Sequence, residues 1–184
     1  LGLDIYDKDF LEISFGDEQF DVISLWHVLE HVPAPELYIE KMSRSLKENG
    51  RLVIEVPNFD SWTAGFTGAY WMGLDPRYHT HFFSPRALIR LLEKYKFSIK
   101  NVHTFSLEYS AFISAQSIVS FLTRTDMLFF KWLQTGSSFP GLLWHALLFL
   151  LLFPLCLLID LLLFFSRRGE VLLIVAQKSP QTRL

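Results

Sequence analysis

Within one short stretch, His27, Glu30 and His31 offer two imidazoles and a carboxylate, groups able to hold a metal ion or move a proton. Their i, i+3, i+4 spacing puts them on one face if the chain turns helically after Trp26. Imidazoles with one carboxylate suit zinc, iron or nickel better than magnesium. An imidazole alone, from His31, His79 or His81, serves as a general base near neutral pH. A purely structural arrangement, with Glu30 and His31 bonded to nearby backbone, uses the same residues. A second group follows the ends of apolar runs: Lys8-Asp9-Phe10, Trp26-His27 and Pro57-Asn58-Phe59. A carboxylate such as Asp9 accepts hydrogen bonds from a ligand, or merely sits in a solvated turn.

These side chains need a frame. In open α/β sheets, ligands lie beyond the carboxyl ends of the strands, where the second group falls. Strands are expected at Leu1 to Tyr6, Phe20 to Trp26, Arg51 to Val56, Phe97 to Leu107 and Glu170 to Ala176. The near-continuous apolar run Phe20 to Trp26 suits a strand covered on both faces. Tyr38, Met42 and Leu46 recur every fourth residue after Pro33 and Pro35, marking an amphipathic helix stopped by Gly50. Ser84-Pro85 is an N-cap followed by proline at the first helical position. It opens a second helix whose stripe is Ala87, Leu88, Leu91, Leu92 and Tyr95. Helical linkers between apolar strands require crossovers, so the strands near Leu3, Phe20 and Arg51 should be parallel and adjacent. Trp62 to His81 is rich in aromatic residues and glycine and reads as a lid over the acceptor, or as an aromatic plug on the core.

The run FDVISLWHVLEHV over 20–32 resembles the central signature of the class I S-adenosylmethionine-dependent methyltransferases. LKENGRLVIEVP over 46–57 is similar to that family's next block, and His81-Phe82-Phe83-Ser84-Pro85 to a third. The resemblance implies an α/β, Rossmann-like sheet lacking its first βαβ unit, since the family's glycine-rich cofactor loop has no counterpart here. Residues 1–110 then form the C-terminal part of the domain, 111–168 an apolar helical insertion, and 169–184 the final strand and tail. A longer parent is expected to bind S-adenosyl-L-methionine, and this stretch alone to bind it poorly. By resemblance, Asp9, Phe10, Trp26 and His27 meet the cofactor, while His31 and His81 are the candidate catalytic residues. Trp26 as a plain core aromatic is the competing reading.

Ubiquinone-pathway O-methyltransferases and small-RNA 2′-O-methyltransferases hold a divalent metal with an E-x-x-E-H string. The corresponding set here is His27, Glu30, His31 and His81, with histidine replacing the first glutamate. The literal H-x-x-E-H string also occurs in inverted zinc peptidases, but Pro33 and Pro35 break the long helix that those enzymes need. The implied reaction is methyl transfer to oxygen or nitrogen of an acceptor, with a weak tilt toward a lipid-linked one. The alternatives are a catalytically degenerate, membrane-binding module or an incomplete gene model.

Composition narrows the partners. Seventeen basic and nineteen acidic residues leave a formal charge of -2, which excludes a global basic field for nucleic acid. The lone Cys156 permits no internal disulfide. From Gly141 to Phe165 only His145 and Asp160 are strongly polar, long enough to cross a bilayer core of ~30 Å. A single crossing would strand the last strand on the far side. Pro154 should break the segment into two arms, with Arg124, Lys131, Arg167 and Arg168 flanking it. The expectation is a hairpin dipping into one leaflet at a cytoplasmic membrane face, with contact through 139–166. A spanning helix or a buried helix pair are the alternatives.

Overall fold

The computed structural model describes residues 2–180 apart from Glu18 and Glu108. Its sheet has four strands in the order β1-β2-β4-β3, formed by Phe20–Trp26, Leu46–Pro57, Phe97–His103 (β3) and Val171–Lys178 (β4). β1 and β2 are parallel, Val22 facing Arg51 and Trp26 facing Glu55, joined by helix α1 (Pro35–Ser45). That crossover follows from the helical linker. β4 runs antiparallel between β2 and β3, with Ile174 opposite both Ile54 and Val102.

The core forms where α1 and α3 (Pro85–Lys94) lay their apolar stripes on the sheet. Ile39, Met42, Leu88 and Leu92 meet Leu52, Ile54, Leu172 and Ile174, all essentially inaccessible to water. α3 begins as its sequence demands, the Ser84 hydroxyl accepting from Ala87 N–H. α1 stops at Ser45 and the chain enters β2 directly. The left-handed residue of that connection is Asn49 (φ 62°), not Gly50. Gly50 is needed for close approach, because a Cβ there would lie 2.9 Å from the Lys47 carbonyl oxygen.

Two expectations about the first strands are corrected. Residues 2–6 form no strand, and Leu3 and Ile5 are 74% and 89% exposed, since no neighbouring strand takes up their backbone groups. Leu1 lies outside the described residues. β1 is therefore the sheet edge, not a strand covered on both faces, and Val22 and Trp26 stand open to solvent.

The insertion leaves after β3 and returns to β4. It contains α4 (Ser110–Thr123), α5 (Leu128–Thr135) and α6 (Leu142–Leu163). Pro154 does not break α6, which runs unbroken for 22 residues, so the two-armed hairpin is replaced by α6 packed along α4. Removing one helix hydrogen bond is tolerable where the neighbouring turns continue and another helix supports the segment. Both polar side chains of α6 face inward. His145 Nε2 meets the Thr123 hydroxyl at 2.8 Å, and Asp160 accepts from the Ser114 hydroxyl at 2.9 Å. The outer face is leucine and tryptophan, including Leu143, Trp144, Leu150, Leu151, Leu158 and Leu162.

Candidate functional site

The candidate site lies just beyond the carboxyl end of β1. The chain reverses there through His27, whose φ of 50° ends the strand and turns its ring back against β2. His27 Nδ1 lies 3.2 Å from Glu30 Oε1, and its Nε2 lies 3.3 Å from Glu55 Oε1. Both carboxylates are buried. Burial opposes a charge on this ring, but the hydrogen bond to Glu30 and the negative charge of Glu30 and Glu55, the latter in contact with Nε2 without hydrogen-bond geometry, outweigh it and raise its pKa to about 9. The ring is thus an imidazolium at neutral pH, with Tyr109 against it at 4.7 Å between centroids.

Glu30 also faces a second histidine pair. The rings of His31 and His79 are 4.7 Å apart, and ligand atoms of Glu30, His31 and His79 all lie within 4.8 Å of one another. His31 Nδ1 is 3.0 Å from the Tyr78 carbonyl oxygen, and His79 Nδ1 is 2.9 Å from the Gly73 carbonyl oxygen. A carbonyl only accepts, so each Nδ1 carries the proton and each Nε2 keeps a lone pair. Glu30 Oε2 is buried without a hydrogen-bond partner.

His81 does not join this group. Its backbone N–H donates to the Glu30 carbonyl at 3.1 Å, while its ring packs beside Phe83 at 6.1 Å. The lid contributes His79 instead, because the turn at Asp75 accepts from the N–H groups of Tyr78 and His79 and carries that ring back toward His31. His27 shares Glu30 with His31 but not the opening between His31 and His79.

Asp9 sits in a turn, accepting from the Tyr38 hydroxyl at 2.7 Å and Leu11 N–H at 2.7 Å. The Tyr38 hydrogen bond, followed by that from Leu11, lowers its pKa. Phe10 packs against Tyr38 at 5.4 Å. None of these contacts reaches the histidines. Trp26 is 54% exposed at the strand end, so it does not fill the core. The aromatic stretch over 62–81 divides into a buried part and an accessible part. Trp71 is a plug whose indole N–H donates to Glu170 Oε2 at 2.9 Å, whereas Trp62 and Tyr78 stay accessible.

Sequence reasoning missed Glu55 and Glu170. Glu55 carries a visible signal: one charge inside the apolar run Leu52 to Val56, which a buried strand tolerates only with a partner.

A family model described as a methyltransferase domain matches residues 3–102. A ubiquinone biosynthesis O-methyltransferase of Idiomarina loihiensis is 29% identical over 89 residues, covering 44% of this chain and 37% of that protein. The solved [4+2]-cyclase SpnF superposes with a TM-score of 0.53 at 15% identity, over 94% of this chain and 54% of the other. A Bacillus halodurans C-125 protein assigned as a methyltransferase gives 0.52 at 15% identity, over 94% and 70%. The structural likenesses establish a Rossmann-like methyltransferase fold, and the chain spans little more than a third of the curated relative.

Proposed function

Since the chain belongs to the class I S-adenosylmethionine-dependent methyltransferase family, we propose that it contributes the acceptor side of a site that methylates an oxygen or nitrogen of a lipid-linked small molecule. The observation that carries this reading is His31 Nε2, 4.0 Å from Oε1 of buried Glu30, at the carboxyl edge of the parallel strands. His31 accepts the acceptor proton at Nε2, the Tyr78 carbonyl holding its tautomer, and Glu30 favours the resulting imidazolium. The cofactor supplies an electrophilic methyl group on sulfonium. Asp9 keeps acceptor capacity for an amine, and Phe10 and exposed Trp26 offer ring faces to it. His27, with both nitrogens turned to carboxylates, positions the loop and does not contact the cofactor through a hydrogen bond. Similarity to a ubiquinone-pathway enzyme supports an O-linked acceptor on a lipid.

The test is transfer of a tritiated methyl group from S-adenosylmethionine into the organic phase of a membrane-lipid extract. His31→Gln should lower the rate by roughly 10²-fold while leaving cofactor binding unchanged. Label that stays out of the organic phase, or a variant as fast as the native protein, overturns the reading.

A metal reading is favoured by one further observation. Ligand atoms of Glu30, His31 and His79 converge, Glu30 keeps one oxygen without a hydrogen-bond partner, and each imidazole is oriented by a backbone carbonyl as metal ligands commonly are. Glu30, His31 and His79 would hold a zinc-like ion, which would bind acceptor hydroxyls. Cobalt(II) absorption should appear on titration, vanish in His79→Ala and persist in His81→Ala. Equal spectra in both variants reject the set.

We place the chain at the cytoplasmic face of a membrane, with α6 lying in the plane of one leaflet. At ~1.5 Å per residue α6 alone is long enough to cross, but α4, with 14 residues, reaches only about 21 Å and cannot carry the chain across first. β3 and β4 pair in the same sheet, so both ends of the insertion stay on one side. The outward leucines then meet acyl chains while Arg124, Lys131, Arg167 and Arg168 sit among headgroups.

A further inference from the structure

Between α2 (Trp62–Thr67) and the turn that follows α6 lies a cleft of about 460 Å³, lined by Phe59, Asp60, Ser61, Trp62, Phe66 and Arg168 among others. Its wall is aromatic. Trp62 and Phe66 stack at 5.1 Å and 9°, and both remain accessible. The row continues outward through Phe121, 5.1 Å from Phe66, where the Arg124 guanidinium sits 4.6 Å over the ring.

The row also continues inward. Phe59 lies 5.6 Å from Phe82, Phe82 lies 6.2 Å from His79, and His79 lies 4.7 Å from His31. A row of ring contacts therefore runs from the cleft to the histidines beside Glu30. Arg168 follows Arg167 after the short turn Phe164–Ser166 that ends α6, and no carboxylate among the described residues forms a salt bridge with either. Asp60 is the acid among the cleft's lining residues.

We propose that this cleft is the entry port for an anionic amphiphile, an apolar chain joined through a phosphate to the acceptor group, whose chain stays beside α6 while the acceptor end runs along the rings to His31. The guanidinium of Arg168 takes the phosphate, for which its planar fork is suited. The Trp62-Phe66 stack takes the first part of the chain, because flat rings cover apolar surface with little entropy to lose. The proposal deepens the methyl-transfer reading and rests on it only for what happens at the inner end of the row.

The experiment uses the full chain on phosphatidylcholine vesicles with a benzophenone-bearing alkyl phosphate, and the matching alkyl alcohol in a parallel arm. Mass spectrometry then locates the photolabel. The phosphate probe should label residues 59–66, and dodecyl phosphate, not inorganic phosphate, should compete. Arg168→Gln should weaken labelling by about tenfold, as expected for one lost charge-assisted contact. Arg168→Lys should fall between, and Arg90→Gln, on the exposed side of α3, should match the native chain. Should either Arg168 variant fail to fold, the competition pattern and label position still decide the matter. Equal labelling by the alcohol, label confined to 142–163, or full competition by inorganic phosphate overturns the port. Labelling of 59–66 retains the port and its absence rejects it, whatever the outcome of the methyl-transfer assay, which is read separately on a protein that carries this stretch together with a glycine-rich cofactor loop.

Discussion

Replacing His27 by asparagine removes a cation held between two buried carboxylates while keeping a residue that tolerates positive φ. The pKa of His27 rises on folding from 6.5 to about 9, so the native state binds the proton more tightly than the unfolded chain. That stabilisation is complete below about pH 6.5 and is lost as pH climbs through about 9. At ~1.36 kcal/mol per pH unit, a shift of this size corresponds to about 3 kcal/mol. Chemical unfolding in mild detergent, repeated from pH 6 to pH 10, should show the native protein losing about this much relative to His27→Asn. At pH 6 the variant should be the less stable by a similar amount, because Glu30 and Glu55 remain buried without their cation. Parallel stability curves for the two proteins across that range would refute the charged-histidine account.

Other expectations follow from the same geometry. Burial raises the Glu170 carboxyl to about 7 against donors that include Thr63, Trp71 and Ser61, so native stability should fall between pH 4.5 and about 7; Glu170→Gln should flatten that decline in thermal melts. Leu150→Glu with Leu158→Glu places charges on the outer face of α6 and should release the chain from sedimenting vesicles without altering its circular dichroism; retention on the vesicles would contradict in-plane seating. Gly169→Ala drives a methyl group into the Thr104 carbonyl and should destabilise by about 1–3 kcal/mol in denaturant titrations.

Periodicity exposed the parts of this fold that answer to local rules. The parallel pairing of β1 with β2 followed from an amphipathic linker, and α3 begins at Ser84 because a hydroxyl and a proline mark its first turn. Where neighbours decide, sequence was a weaker guide. Phe20 to Trp26 is apolar enough for a central strand, yet it is an edge strand because residues 2–6 do not pair with it. His79 and His81 have the same chemistry two positions apart, and only the turn at Asp75 selects which ring meets His31. Glu55 became part of the site through the reversal at His27, a backbone choice that no residue type there announces. Pro154 looked like a breaker because an isolated helix loses most from proline, whereas α6 has α4 alongside it.

Gly169 and Thr104 bring the two ends of the insertion into contact where β3 and β4 meet. A loop that leaves and returns through one gap adds little strain to the sheet, whatever its length, since closure depends only weakly on the number of residues between the ends. The 54 residues from α4 to α6 are in that sense a cassette. Joining Thr104 to Gly169 through a short polar turn should leave the strand register of β4 intact. Grafting the same helices onto the equivalent hairpin of a water-soluble methyltransferase would ask the converse question, whether lipid attachment can be transplanted without redesigning the chemistry beneath it.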